Sequence, residues 1–198
     1  LGVVLGLLLG SRIEGWGALT PYLFAALTFV GGLGISARQF TPVISRPKAL
    51  AVFALGSILL MPLVSWLFAT LAFPSNAEIR TGIILLTAIP TAITGYIWSS
   101  IHRGNEPLSL TIILFGTLLA PLTTPFIVQV LAGSSVVIDS RGMMVSLLTM
   151  VVIPTALGSF INTASRGRVS KAITPSLKPF SKLALFLIVI INTARVSE

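Results

Sequence analysis

The chain has 198 residues, 55% of them apolar and 9% charged, and a mean hydropathy of +1.01. An average soluble domain is about 25% charged, so a soluble core is excluded and lipid is the solvent for most of the protein. Cysteine is absent and His102 is the single histidine, which excludes a disulfide framework, a thiolate metal site and a multi-histidine metal cluster.

The net charge of +8 would suit nucleic acid, but the charges fall between apolar runs, where membrane topology explains them without a nucleic-acid partner. In a bilayer only helices or a closed barrel satisfy the backbone. Barrel strands alternate apolar and polar residues, whereas here apolar runs continue for about 20 residues, the length of a spanning helix. The expected fold is therefore an all-α polytopic membrane protein.

Runs and breakers predict seven helices, at roughly 1–10, 18–36, 49–73, 79–102, 107–132, 142–163 and 180–195. The first run, LGVVLGLLLG, is about half a span. The last, LALFLIVIINTARVSE, ends the chain. The expectation is an internal piece of a longer protein. The second run holds Gly31, Gly32 and Gly34 in FVGGLGIS, which would let another helix approach closely. The third holds Ser57 and Pro62, and the sixth holds Pro154.

The fourth run differs in kind. After Asn76–Glu78 it reads GIILL and then meets Thr87, Pro90, Thr91, Thr94, Gly95 and Tyr96. Pro90 removes a backbone donor and crowds the preceding turn, and Gly95 weakens the helix within about one turn of Thr94. An unwound stretch at mid-membrane would supply oriented donors and acceptors for an ion or solute, as in many secondary transporters. A simple kink accounts for the same residues. The turn His102-Arg103-Gly104-Asn105-Glu106-Pro107 reads as a helix stop at Gly104 and an N-cap at Asn105, with Glu106 and Pro107 in the next first turn. Capping explains these residues better than catalysis by His102. Ser109, Thr111 and Thr117 would give the fifth helix a polar face, or bond their own helix.

Connections alternate in charge. Arg38, Arg46, Lys48, Arg103, Arg166, Arg168, Lys171, Lys178 and Lys182 share one side with Glu106 as the only acid, while the basic and acidic residues of the other side cancel. The positive-inside rule then makes the connections 37–48, 103–106 and 164–179 cytoplasmic. The basic Arg166–Lys182 connection reads first as a topology determinant and second as a site for anionic lipid. No charged side chain lies deep in a complete span, which argues against a self-contained proton relay or voltage sensor. No phosphate-binding loop, intramembrane Ser–His pair or aspartyl dyad is present, so an enzyme is not expected. A channel filter is also missing from the pattern.

Several stretches resemble the bile acid:sodium symporter family in collinear order. They are LTFVGGLGISARQFTPVISRPKAL, MPLVSW, GIILLTAIPTAITGYIWSSIHRGNEPLSLTIILFGTLLAPLTTPFIVQVLAG and GMMVSLLTMVVIPTALG. The resemblance implies a bacterial member with an inverted-repeat transporter fold, of which this chain holds about seven of an expected ten helices. Panel helices would be 1–10, 18–36, 142–163 and 180–195, and core helices 49–73, 79–102 and 107–132. It further implies secondary active transport of a small organic anion, bile-acid-like or a small carboxylate, by alternating access in the inner membrane. The Ser-Asn pair that helps hold sodium in coupled members falls on Gly95 and Tyr96. A second-sodium glutamine falls on Ser57. One hydroxyl ligand of the fifth helix is kept as Ser109, and the other falls on Ile113. The substrate-facing Gly-Gly-Thr run becomes Thr91-Ala92-Ile93. The expected solute and ion contacts are thus Ser57, Pro90, Thr91, Thr94, Gly95, Tyr96, Ser109 and Thr117, with sodium near Thr94, Tyr96 and Ser109. Proton coupling, no coupling ion, and a non-transporting receptor or scaffold of the same fold stay open, as do the solute and the oligomeric state.

Overall fold

The structure is a computed structural model, and it describes residues 2–36, 46–89, 94–133 and 138–196. All regular elements among them are helical. In chain order they are α1 (Gly2–Leu9), α2 (Thr20–Leu33), α3 (Pro47–Phe53), α4 (Met61–Ala72), α5 (Ala77–Ala88), α6 (Thr94–Ile101), α7 (Glu106–Ala132), α8 (Ser140–Leu147), α9 (Ile153–Ala164) and α10 (Arg168–Val196). Tight 3₁₀ winding over Gly10–Leu19 joins α1 to α2. Wide π winding joins α3 to α4 over Ala54–Leu60, and α8 to α9 over Leu148–Val152.

Among the described residues four helical stretches are long and apolar enough to cross a membrane: Gly15–Leu33, Pro47–Ala72, Glu106–Ala132 and Ser140–Ala164. The pair Arg168–Leu177 and Pro179–Arg195, bent by 52°, adds a fifth if its two halves are taken as one span. The expected connections 11–17 and 163–179 need correction. The first, rich in glycine, is wound as a 3₁₀ connector rather than an open turn. The second is helical from Arg168 onward, because Val169, Ile173 and Leu177 repeat at the helical period.

The π stretches have a local cause. Pro62 has no N–H for the carbonyl of Ile58, and its ring crowds that turn. The ladder responds by widening: the Met61 N–H reaches back to Gly56 O. Pro154 follows the second π stretch in the same way.

The chain divides into two units, Leu1–Ala37 with Leu148–Glu198, and Arg38–Leu147. In the first unit α2 packs on α9, and the second half of α10 packs on α1 and α2. The α2–α9 contact is backbone on backbone. A Cβ on Gly158 would lie on Phe29 O and 2.8 Å from Leu33 N, and one on Gly32 would strike the Thr155 backbone. Thr28 Oγ1 donates to Met150 O at 2.6 Å, the carbonyl that Pro154 deprives of its usual donor. Thr155 Oγ1 donates back to Thr28 O at 3.4 Å, and Asn162 Nδ2 donates to Ile35 O at 3.0 Å.

In the second unit the core gathers Ile84, Ala88, Ile127 and Val128, with Ile58, Leu85 and Leu131 packed around them. It thereby ties the π stretch, α5 and α7 together.

Two helices end alike. Arg103 (φ 53) and Arg166 (φ 51) take left-handed conformations. The following glycines donate back across the turn, Gly104 N to Ser99 O at 2.7 Å and Gly167 N to Asn162 O at 2.8 Å, closing Schellman-type caps. At the first, the left-handed residue is Arg103 and not the expected Gly104. Gly104 is needed for closeness, since a Cβ there would sit 2.7 Å from Ser99 Oγ.

The α2–α9 contact makes a direct prediction. Gly158→Ala should lower stability by about 1–3 kcal/mol through overpacking, read as thermal unfolding in detergent. Gly31→Ala, whose Cβ would meet nothing within 4 Å, should change it by less than about 0.5 kcal/mol.

Candidate functional site

The fourth apolar run is described as two helices, α5 and α6. Asn76 caps α5 by accepting from Ile79 N at 3.0 Å, and Glu78 sits in the first turn, where a negative charge suits the helix dipole. The helix stops at Ala88, and Ile89 is extended at φ −71, ψ 135. A residue before proline is driven to that region by the proline ring. Helix resumes at Thr94. Pro90, Thr91 and the Thr94 side chain lie outside the described residues.

The first half-helix ends on a partner from another helix. Thr124 Oγ1, buried on α7, donates to Ala88 O at 2.9 Å. Carbonyls of a last helical turn have no donor of their own, and in hydrocarbon such a group needs one. One helix over, Ser65 Oγ donates to Ile83 O at 3.1 Å. Sequence reasoning assigned a role to neither residue. The signal for Thr124 was present: it stands between Pro121 and Pro125 in PLTTP, and all three are buried in α7.

The second half-helix is tied to the turn that follows it. Tyr96 Oη donates to Glu106 Oε2 at 3.1 Å, and Ser100 Oγ donates to Oε1 of the same carboxylate at 2.7 Å. Asn105 caps α7 by accepting from Leu108 N at 3.0 Å. His102 is exposed, with Nδ1 3.0 Å from Trp98 O. Tyr96, expected at a solute or ion, therefore directs its hydroxyl proton to Glu106.

The other expected contacts are dispersed. Gly95 is half-buried in α6, and Ser57 is half-buried in the π stretch beside Ile58. Ser109 is half-buried in the first turn of α7, its N–H on Asn105 O at 3.0 Å. Thr117 Oγ1 donates to Ile113 O at 2.9 Å and Thr111 Oγ1 to Pro107 O at 2.6 Å, so both hydroxyls bond their own helix. The structure brings Tyr96 to the turn that precedes Ser109, and it places Ser57 on a different span. Among the described residues no three His, Cys, Asp or Glu side chains gather as a metal site. A cation here would depend on hydroxyl and carbonyl oxygens.

Comparison with known proteins gives one consistent result. The family model described as sodium bile acid symporter family matches residues 21–198. The chain is 38% identical over 197 residues to the uncharacterized protein YbaS of Bacillus subtilis, covering 98% of this chain and 64% of that protein. It is 31% identical over 159 residues to a probable sodium/metabolite cotransporter, BASS5, chloroplastic, of Oryza sativa subsp. indica, covering 78% of this chain and 39% of the relative. It is 27% identical over 154 residues to the uncharacterized sodium-dependent transporter YocS of Bacillus subtilis, covering 76% and 47%. The chain thus spans less than two thirds of the length of each of these relatives.

The contact at the break can be tested by itself. Thr124→Val keeps the shape and removes the donor to Ala88 O, and should cost about 1–3 kcal/mol in thermal unfolding. Thr117→Val removes a bond within one helix turn and should cost less than about half as much.

Proposed function

Since this chain belongs to the sodium bile acid symporter family, we propose that the whole protein is a secondary transporter of a small organic anion. In this reading sodium is a co-substrate and the carrier works by alternating access. The observation that carries it is the end of α5, where Ile89 leaves the helix and the last carbonyl, that of Ala88, takes a buried hydroxyl from a neighbouring helix. The start of α6 carries the positive end of its dipole, which favours an anionic group. Solute and ion would meet Pro90, Thr91, Thr94, Gly95 and Ser109 in this reading. Backbone carbonyls near Thr94–Tyr96 and the Ser109 hydroxyl would serve sodium where Gly95 and Ile113 offer no side-chain oxygen.

We read Leu1–Ala37 with Leu148–Glu198 as the panel and Arg38–Leu147 as the core of an inverted-repeat fold. The division of the chain into two such units supports this. In that assignment residues 140–147 go with the core, so the panel's share of the sixth span begins at Leu148. The protein would sit in a bacterial plasma membrane with 37–48, 103–106 and 164–179 toward the cytoplasm.

A receptor of the same fold is the second reading. It is favoured by Gly95 and Ile113, which stand where sodium-coupled members of the family place side-chain oxygens.

The full-length protein in proteoliposomes, offered labelled bile acids and small carboxylates, separates the two. A carrier exchanges labelled solute in counterflow and is accelerated by an inward sodium gradient, whereas a receptor binds without exchange. Thr94→Val should slow uptake about 2- to 10-fold, the worth of one hydrogen bond, at unchanged expression. Uptake unaffected by that change would remove the site from the break.

A further inference from the structure

The basic connection between the sixth and seventh spans is a bent helix with two unlike halves. In the first half Val169, Ile173 and Leu177 follow one another at i, i+4 and i+8, and so form one stripe. None of the three is buried, and Ile173 is 43% exposed. Arg168 and Lys171 are exposed and fall on the opposite side of the helix. The Ser170 and Thr174 hydroxyls pair at 3.3 Å on the flank. Past the bend the pattern changes: Ala184, Ile188, Ile191 and Ala194 are all buried, where the helix meets α1 and α2.

The bend has a cause in sequence. Pro179 offers no N–H to Pro175 O, and its ring displaces that carbonyl. The result is a 52° turn of Arg168–Leu177 away from Pro179–Arg195. With Pro179–Arg195, the half that packs on α1 and α2, taken as the membrane-crossing helix, the amphipathic half begins at its end, at headgroup depth. From Arg166 to Lys182 the chain carries no acidic residue, so the surface suits an anion and opposes a basic partner. An amphipathic helix with a cationic polar face and an apolar stripe lies in the interface, its long basic side chains reaching up to the headgroups.

We propose that Arg168–Leu177 lies in the lipid headgroup layer and binds anionic phospholipid. Ile173 and Leu177 dip into the acyl boundary, and Arg168 and Lys171 hold phosphate oxygens. A polybasic segment beside a spanning helix gains affinity for acidic lipid with each Lys or Arg near the surface. The bend supplies the geometry, by freeing the segment from the direction of the span.

The absence of cysteine makes the test clean. The full chain carrying Ile173→Cys or Lys171→Cys is nitroxide-labelled and reconstituted in phosphatidylcholine vesicles with and without phosphatidylglycerol. Both positions are exposed, so neither change opens a core. The expected result is a label at 173 reached by oxygen and shielded from an aqueous nickel chelate, with the label at 171 open to the chelate. A label at 173 as open to nickel as that at 171 would overturn the proposal. So would a label at 173 closed to both reagents, because protein would then cover the stripe. Lipid choice is read separately by native mass spectrometry of the unlabelled chain. Bound phosphatidylglycerol should exceed phosphatidylcholine, and Arg168→Gln with Lys171→Gln should reduce that preference about 10-fold or more. Equal binding of the two lipids, or no effect of the double change, would overturn the anionic specificity.

Discussion

A carbonyl in hydrocarbon must find a donor, and each proline in a spanning helix takes one away. This constraint organises the described spans. Pro154 strips Met150 O, and the Thr28 hydroxyl comes from α2 to meet it. Helix α5 stops short of Pro90, and the Thr124 hydroxyl comes from α7 to meet Ala88 O. Pro62 is answered within its own helix by widening to π winding. Short hydroxyl side chains carry these repairs because they reach across a close helix contact without bringing a charge into the membrane.

The same principle distinguishes α5 from α6. The first is anchored in the Ile84–Ala88–Ile127–Val128 core and finished by Thr124. The second is held at its far end by two hydroxyls converging on the Glu106 carboxylate. A bond to a charged acceptor is stronger than one between neutral groups, so Glu106 is a firm attachment for α6. It serves at once as a first-turn acid on α7 and as the acceptor for α6. This gives Tyr96 a structural task that its position beside Gly95 did not suggest.

Short-range rules were readable from the residues. The expected cap at Asn105 depends on residues within one turn and stands in the structure; the cap at Asn76 and the extended Ile89 before Pro90 obey equally local rules. The apolar runs likewise marked most helices. What was not readable needed partners far along the chain. Nothing near Thr28 indicates Met150, and nothing near Thr124 indicates Ala88, because side-chain periodicity encodes a face and not the neighbour it meets. Arg168–Leu177 was misread for another reason. Pro175, Ser170 and Ser176 carry turn chemistry and signal a loop, although Val169, Ile173 and Leu177 hold helical spacing. The π stretches were invisible because a wide turn has no compositional signature beyond the proline after it.

Those wide turns carry an evolutionary implication. Winding by five instead of four accommodates one residue more than the same rise of ordinary helix requires. The stretch Ala54–Leu60 is in effect a stored insertion, and loss of a single codon there would let the ladder close up while Ser65 and Ala69 kept their facing. The same loss within α4 would swing every later side chain by about a quarter turn or more. Length variation among descendants of this gene should therefore gather just ahead of the prolines, and leave the helices beyond them unchanged in length.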